Sequence, residues 1–231
     1  MGRPKKNPAK CECWYNMHTK KRVRCEMHQA VRTGPKRPRY FPVPPQVILE
    51  IGKGITDPLG RALFFLTYLT GARIGEAMEF QPAFMVVTDS FYRIEMKVEK
   101  KRNGGMNMRT VPIPRGEKAK CFENEMMDDV IQFLRGKSAL SQPFAKWKRM
   151  SMYIMRAAEL TVNARVKNEA GIWVNRQITK KLHPHYLRHC RAKHLVDYYN
   201  FSDTKLRVFF EWSDTKMAAT YANAVELEAS F

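Results

Sequence analysis

Between Pro35 and Pro45 the chain reads PKRPRYFPVPP, five prolines in eleven residues. Each proline fixes its own φ and withholds a backbone N–H, so this stretch cannot be the interior of a helix or a central strand. It reads as an extended linker, and it divides two unlike kinds of chain. Residues 1 to 40 carry twelve Lys or Arg against two Glu, a net charge of +10. The remaining 191 residues carry +9 and are patterned in periodic apolar segments. The expected organisation is a basic N-terminal arm with its linker over 1–45 and a folded body over 46–231, ending in a short tail.

A formal charge of +19 on 231 residues points to a polyanionic partner, with double-stranded DNA first among the candidates. An anionic membrane surface would call for a basic amphipathic helix or a lipid anchor, and neither is evident. The longest apolar run, Ala62 to Leu69, is interrupted by Thr67 and is far shorter than the roughly 20 residues that span a bilayer. It reads as a buried helix. No apolar segment follows the charged MGRPKKNPAK start, so no secretory signal is expected and the protein is placed in the cytoplasm with DNA. Five cysteines, with Cys121 and Cys190 isolated, fit a reducing compartment.

The body is expected to be α+β and mainly helical. Short helices are predicted at Val47 to Ile51, from Asp57 or Pro58 to Leu69 with Asp57 as cap, and over Arg73 to Phe80 after the Thr70-Gly71 break. From Phe84 to Pro114 the segments FMVV, FYRIEMKV and MRTVPIP alternate with turn residues, which predicts a small three-stranded antiparallel sheet. Further helices are predicted at Asn124 to Arg135, Pro143 to Leu160, Pro184 to Tyr199, Thr204 to Phe210 and Thr215 to Ala224.

Three separated segments hold residue types that suit phosphoryl transfer. In Thr70-Gly71-Ala72-Arg73-Ile74-Gly75-Glu76 a glycine-broken turn presents Arg73 at a helix start with Glu76 one turn on. In His183-Pro184-His185-Tyr186-Leu187-Arg188-His189 the spacing puts His185 and Arg188 on one helix face. The third segment runs from Trp212 to Tyr221, nine residues apart. In this order the set resembles the tyrosine recombinase (integrase) family, over about Val47 to Ala224.

The resemblance implies the fold of a tyrosine recombinase catalytic domain and a division of roles. Arg73 and Arg188 would clamp the non-bridging oxygens of the scissile phosphate, and His185 would serve as general base or as a further donor. Trp212 stands where many members have histidine; its indole N–H donates but does not exchange a proton at neutral pH. Tyr221 would be the nucleophile, giving a 3′-phosphotyrosyl bond and a free 5′-hydroxyl. A hairpin lysine would protonate the leaving oxygen, Lys101 first and Lys100 second, and Glu76 and His189 are supporting residues. Two guanidiniums suit the charge that builds on the phosphate oxygens, so no metal or ATP is expected for catalysis. The implied partners are double-stranded DNA and further copies of the chain, as a dimer or tetramer on DNA, and a mobile-element origin fits. Two alternatives stand beside this: a type IB topoisomerase-like nicking-closing enzyme, and a non-catalytic DNA-binding protein on the same scaffold.

The arm has its own signals. Arg3, Lys5, Lys6, Lys20, Lys21, Arg22, Arg24, Lys36, Arg37 and Arg39 are candidate DNA contacts. Cys11 and Cys13, then Cys25 and His28, offer four ligands for a structural zinc within 18 residues, with His18 as a competitor. Members of the family commonly carry a helical core-binding domain of about a hundred residues ahead of the catalytic part. Only some 45 residues stand there in this chain, so a minimal form is expected.

Overall fold

A computed structural model describes residues 14–16, 21–23, 39–98, 108–145, 159–168 and 170–212. Two compact units make up the chain: Met1–Tyr40 with Asn163–Arg176, and Phe41–Val162 with Gln177–Phe231.

In the first unit, β1 (Trp14–Asn16) pairs antiparallel with β2 (Lys21–Val23), Trp14 opposite Val23. A second sheet has the order β3-β7-β8, from Arg39–Tyr40, Glu159–Lys167 and Trp173–Lys181. Arg39 faces Arg165 in its register. The strand β3 lies inside the proline-rich stretch. Strands β7 and β8 were not expected from the sequence, although Thr161 to Lys167 alternates outward and inward residue by residue.

The second unit is built around α2 (Pro58–Thr70). Asp57 accepts from the Gly60 N–H at 2.5 Å, Pro58 occupies the first turn, and Gly71 closes the helix with φ +57°. From Ala62 to Thr70 every residue is buried. A helix that is apolar on all sides has to be enclosed, and α2 is packed by α1 (Pro45–Lys53), α3 (Ile74–Met78), α4 (Cys121–Leu134) and α5 (Pro184–Tyr199). At Gly52 of α1 an added Cβ would meet the Phe65 ring at 2.1 Å, so a glycine lets these two helices touch.

The expected three-stranded sheet is present as the antiparallel order β4-β5-β6, from Met85–Val87, Phe91–Lys97 and Met108–Pro114. Strands β5 and β6 alternate so that Tyr92, Ile94 and Met96 face inward with Arg109, Val111 and Ile113. One of those inward residues is an arginine. The hairpin tip between Glu99 and Asn107 and the predicted helix at Thr215 to Ala224 lie outside the described residues, as does most of Pro143 to Leu160. Glu159 and Leu160, the last two residues of that predicted helix, belong to β7 instead, where the chain takes up strand pairing.

Helix α5 carries the HxxR segment and also fixes the chain that enters this unit. Tyr186 Oη donates to the Phe41 carbonyl at 2.7 Å, and His194 Nε2 lies 2.7 Å from the Val43 carbonyl. A carbonyl only accepts, so Nε2 holds the proton and Nδ1 accepts from the Tyr68 hydroxyl. Burial holds His194 neutral, with its pKa pushed down to about 3. Fully buried Arg191, on the same helix, bonds Glu123 Oε1 at 2.5 Å, and the Tyr199 hydroxyl donates to the other oxygen of that carboxylate. Burial alone would lower the Arg191 pKa, but Glu123 beside it carries the net shift upward.

Candidate active site

The turn after α2 sets the first cationic group. With Gly71 in the left-handed region the chain reverses at once, and Arg73 becomes the N-cap of the short helix α3. Glu76, 2 % exposed, takes the Arg73 backbone N–H on Oε2 at 3.0 Å and its guanidinium Nη1 on Oε1 at 2.7 Å. One buried carboxylate thus caps the helix and aims the Arg73 side chain, which is itself 40 % exposed. Glu76, expected from the sequence as a supporting residue, is in contact with Arg73.

Arg188 comes from α5 and reaches the same turn. Its Nη1 donates to the Gly71 carbonyl at 2.5 Å and its Nη2 to the Phe210 carbonyl at 2.8 Å. Phe210 ends α6 (Asp203–Phe210), and Glu211 follows with φ +49°. The Arg188 guanidinium lies over the Phe210 ring at 4.8 Å and over the Trp212 ring at 5.8 Å, while those two rings stack at 4.6 Å. The Trp212 backbone N–H bonds back to the Arg207 carbonyl at 3.1 Å. So Arg73, Arg188 and Trp212 are gathered around the Gly71 turn.

His185 lies one turn ahead of Arg188 on α5 and is exposed, with its ring 6.5 Å from that of His183, the N-cap of the helix. His183 Nδ1 accepts the Tyr186 N–H at 3.2 Å. His189 follows on the same face, half-buried, 6.2 Å from the Tyr186 ring.

Arg109 was not singled out by its sequence context, yet it belongs to this cluster. It is 5 % exposed and donates from Nη1 to the Phe209 carbonyl at 2.6 Å and from Nη2 to the Thr70 carbonyl at 3.0 Å, with Glu76 Oε2 3.7 Å from Nη2. Burial lowers its pKa, and Glu76 opposes that shift. The available signal was the inward phase of MRTVPIP, which puts a charged residue on the face of Val111 and Ile113.

Tyr221, Lys100 and Lys101 lie outside the described residues. So do Cys11, Cys13, Cys25 and His28, and Arg3, Lys5, Lys6, Lys20, Arg24, Lys36 and Arg37. Lys21 and Arg22 are in β2 and Arg39 is in β3. Among the described residues no group of three or more His, Cys, Asp or Glu side chains is placed to hold a metal ion. No helix among them is long and apolar enough to cross a membrane.

The phage integrase family model matches residues 56–227. Comparison with curated protein sequences gives no significant match. Among solved structures, the chain is similar to the XerH site-specific recombinase bound to palindromic difH substrate in a post-cleavage complex. The TM-score is 0.54 at 18% identity, over 85% of this chain and 54% of that one. The pre-cleavage complex of XerH with difH gives a TM-score of 0.51 at 18% identity, covering 85% and 53%. The Tn1549 transposon integrase in complex with circular intermediate DNA gives 0.50 at 13% identity, covering 86% and 68%. The chain spans about half the length of the XerH chains. At these identities the likeness is one of fold, and the fold is that of a tyrosine recombinase catalytic domain.

Proposed function

The chain belongs to the phage integrase family, and from that membership we propose that it is a site-specific DNA recombinase working through a 3′-phosphotyrosyl intermediate. The observation that carries the reading is the gathering of Arg73, Arg188 and Trp212 around one glycine turn, with His185 a helical turn from Arg188. In this reading the two permanently charged guanidiniums together make a cationic seat for a phosphodiester.

In the proposed reaction Tyr221 Oη attacks the scissile phosphorus and gives its proton to His185. The P–O5′ bond breaks, and the leaving oxygen takes a proton from Lys101 or, failing that, Lys100. Arg73 and Arg188 balance the charge on the equatorial oxygens, and the Trp212 indole N–H adds a neutral donor. The bond energy is kept in the protein–DNA ester, so attack by a 5′-hydroxyl reseals the strand without ATP, and the cationic charge is supplied by side chains rather than by a catalytic metal. The substrate is double-stranded DNA, and strand exchange between two duplexes calls for several copies of the chain, a dimer or tetramer on DNA. The site of action is the cytoplasm, and the basic arm grips DNA, with a structural zinc on Cys11, Cys13, Cys25 and His28.

The test uses wild type and Tyr221→Phe with supercoiled plasmid and nicked synthetic duplexes in EDTA, followed by denaturing electrophoresis and mass spectrometry. The expected result is an adduct on Tyr221 that is absent from the variant, and joined products from two duplexes. Intact DNA binding with no adduct on any substrate would overturn it.

A further inference from the structure

Two helices end at this site, and their last carbonyls are the groups that an α-helix leaves without intrahelical partners. Thr70 closes α2 and Gly71 caps it; Phe209 and Phe210 close α6. Arg109 bonds the carbonyls of Thr70 and Phe209, and Arg188 bonds those of Gly71 and Phe210. The two arginines come from different elements, β6 and α5, and each spans both helix ends, one peptide apart. Cationic groups at helix C-termini are also favoured by the helix dipole. Arg109 further approaches Glu76, the carboxylate that aims Arg73.

We propose that Arg109 is a positioning residue for strand cleavage: it ties the two helix ends together and braces Glu76, and so sets where the Arg188 and Arg73 guanidiniums stand. The proposal rests on reading those two arginines as the phosphate clamp. Arg109 has no contact with DNA assigned in this scheme, so its loss is expected to act on the rate of cleavage more than on the grip. Lysine keeps the charge but has one ammonium where the guanidinium has two parallel donors, so it cannot hold both carbonyls in the same register. A displacement of about 1 Å in a reacting constellation lowers a rate on the order of 100-fold.

The test has two arms. In single-turnover cleavage with saturating protein, on a DNA that the wild type cleaves, Arg109→Lys is expected to react roughly 30- to 100-fold more slowly. Its affinity for the same DNA, measured in the Tyr221→Phe background, should stay within about twofold, because affinity is the sum of many phosphate contacts and only the two at the scissile phosphate are displaced. The second arm needs no DNA activity. With Trp14, Trp147 and Trp173 replaced by phenylalanine, emission reports Trp212 alone, and Arg109→Lys is expected to shift it to the red as the 209–212 segment loosens. Should Arg109→Lys not fold, Arg109→Gln is measured in both arms. Cleavage within about threefold of wild type, an unmoved Trp212 emission, or loss of folding in both variants would each overturn the positioning role. If the wild type forms no adduct, the recombinase reading fails, and the emission arm still decides whether Arg109 sets the segment.

Discussion

Phe210 fills the space that a side chain at Gly71 would need. A Cβ built on Gly71 would stand 2.2 Å from Phe210 Cε1, and the backbone there has φ +57°. Gly71 therefore answers two demands, a left-handed turn and an aromatic contact that also carries the Arg188 guanidinium. Gly71→Ala is expected to cost about 1–2 kcal/mol for the left-handed conformation and about 1–3 kcal/mol for the overpacked ring. Urea unfolding should show the midpoint falling with little change in slope.

Glu76 lies between Arg73 and buried Arg109, with its own side chain only 1 % exposed. Glu76→Gln keeps the shape and removes the charge, taking from Arg109 the carboxylate that approaches it. Removing one partner of a buried ion pair costs about 3–5 kcal/mol. The expected outcome is a folded but clearly less stable protein, measured by thermal unfolding, in which cleavage falls more than the affinity for DNA.

Much of this site was legible from local spacing. Arg73 and Glu76 stand three apart after a glycine, as do His185 and Arg188 on one helix, and such intervals place side chains whatever surrounds them. The three-stranded sheet was legible for the same reason, because alternation marks the buried face. What could not be read is long-range and backbone in character. The acceptors of Arg188 are the carbonyls of Gly71 and Phe210, and a carbonyl has no residue identity to recognise in a sequence. Arg109 is a charge in a strand, and only the phase of its neighbours shows that it points inward. The β7–β8 pair was missed although Thr161 to Lys167 alternates as β5 and β6 do, because only the small Val162, Ala164 and Val166 mark its inward face. The hairpin lysines and Tyr221 lie outside the described residues, so their places rest on the family resemblance.

The arm should supply electrostatic grip more than cleavage. Replacing Lys5, Lys6, Lys20, Lys21, Arg22 and Arg24 by glutamine is expected to flatten the dependence of log K on log salt by roughly 0.9 for each phosphate no longer neutralised. The cleavage position on DNA should not move. Fluorescence anisotropy at several salt concentrations measures the slope, and an unchanged slope would remove the arm from the interface.

If Cys11, Cys13, Cys25 and His28 hold zinc, elemental analysis of the purified protein should find about one zinc per chain. Cys11→Ser with Cys25→Ser should lose it without abolishing adduct formation at Tyr221, since the proposed cleavage chemistry uses no metal.

The pH dependence of stability should carry the signature of His194. Its pKa is about 3 in the folded protein, where burial opposes the charged form, against 6.5 for an unperturbed histidine. Between those values the unfolded chain binds a proton that the folded chain refuses. Stability from this group is therefore complete above about pH 6.5 and falls with decreasing pH, at up to about 1.4 kcal/mol per pH unit. Glutamine at 194 can offer an N–H toward the Val43 carbonyl and has nothing to protonate in this range. His194→Gln is thus expected to be less stable than wild type at about pH 7 and to lose less on going to about pH 5, as read from urea midpoints at the two pH values. Parallel losses in the two proteins would show that the proton is taken up elsewhere.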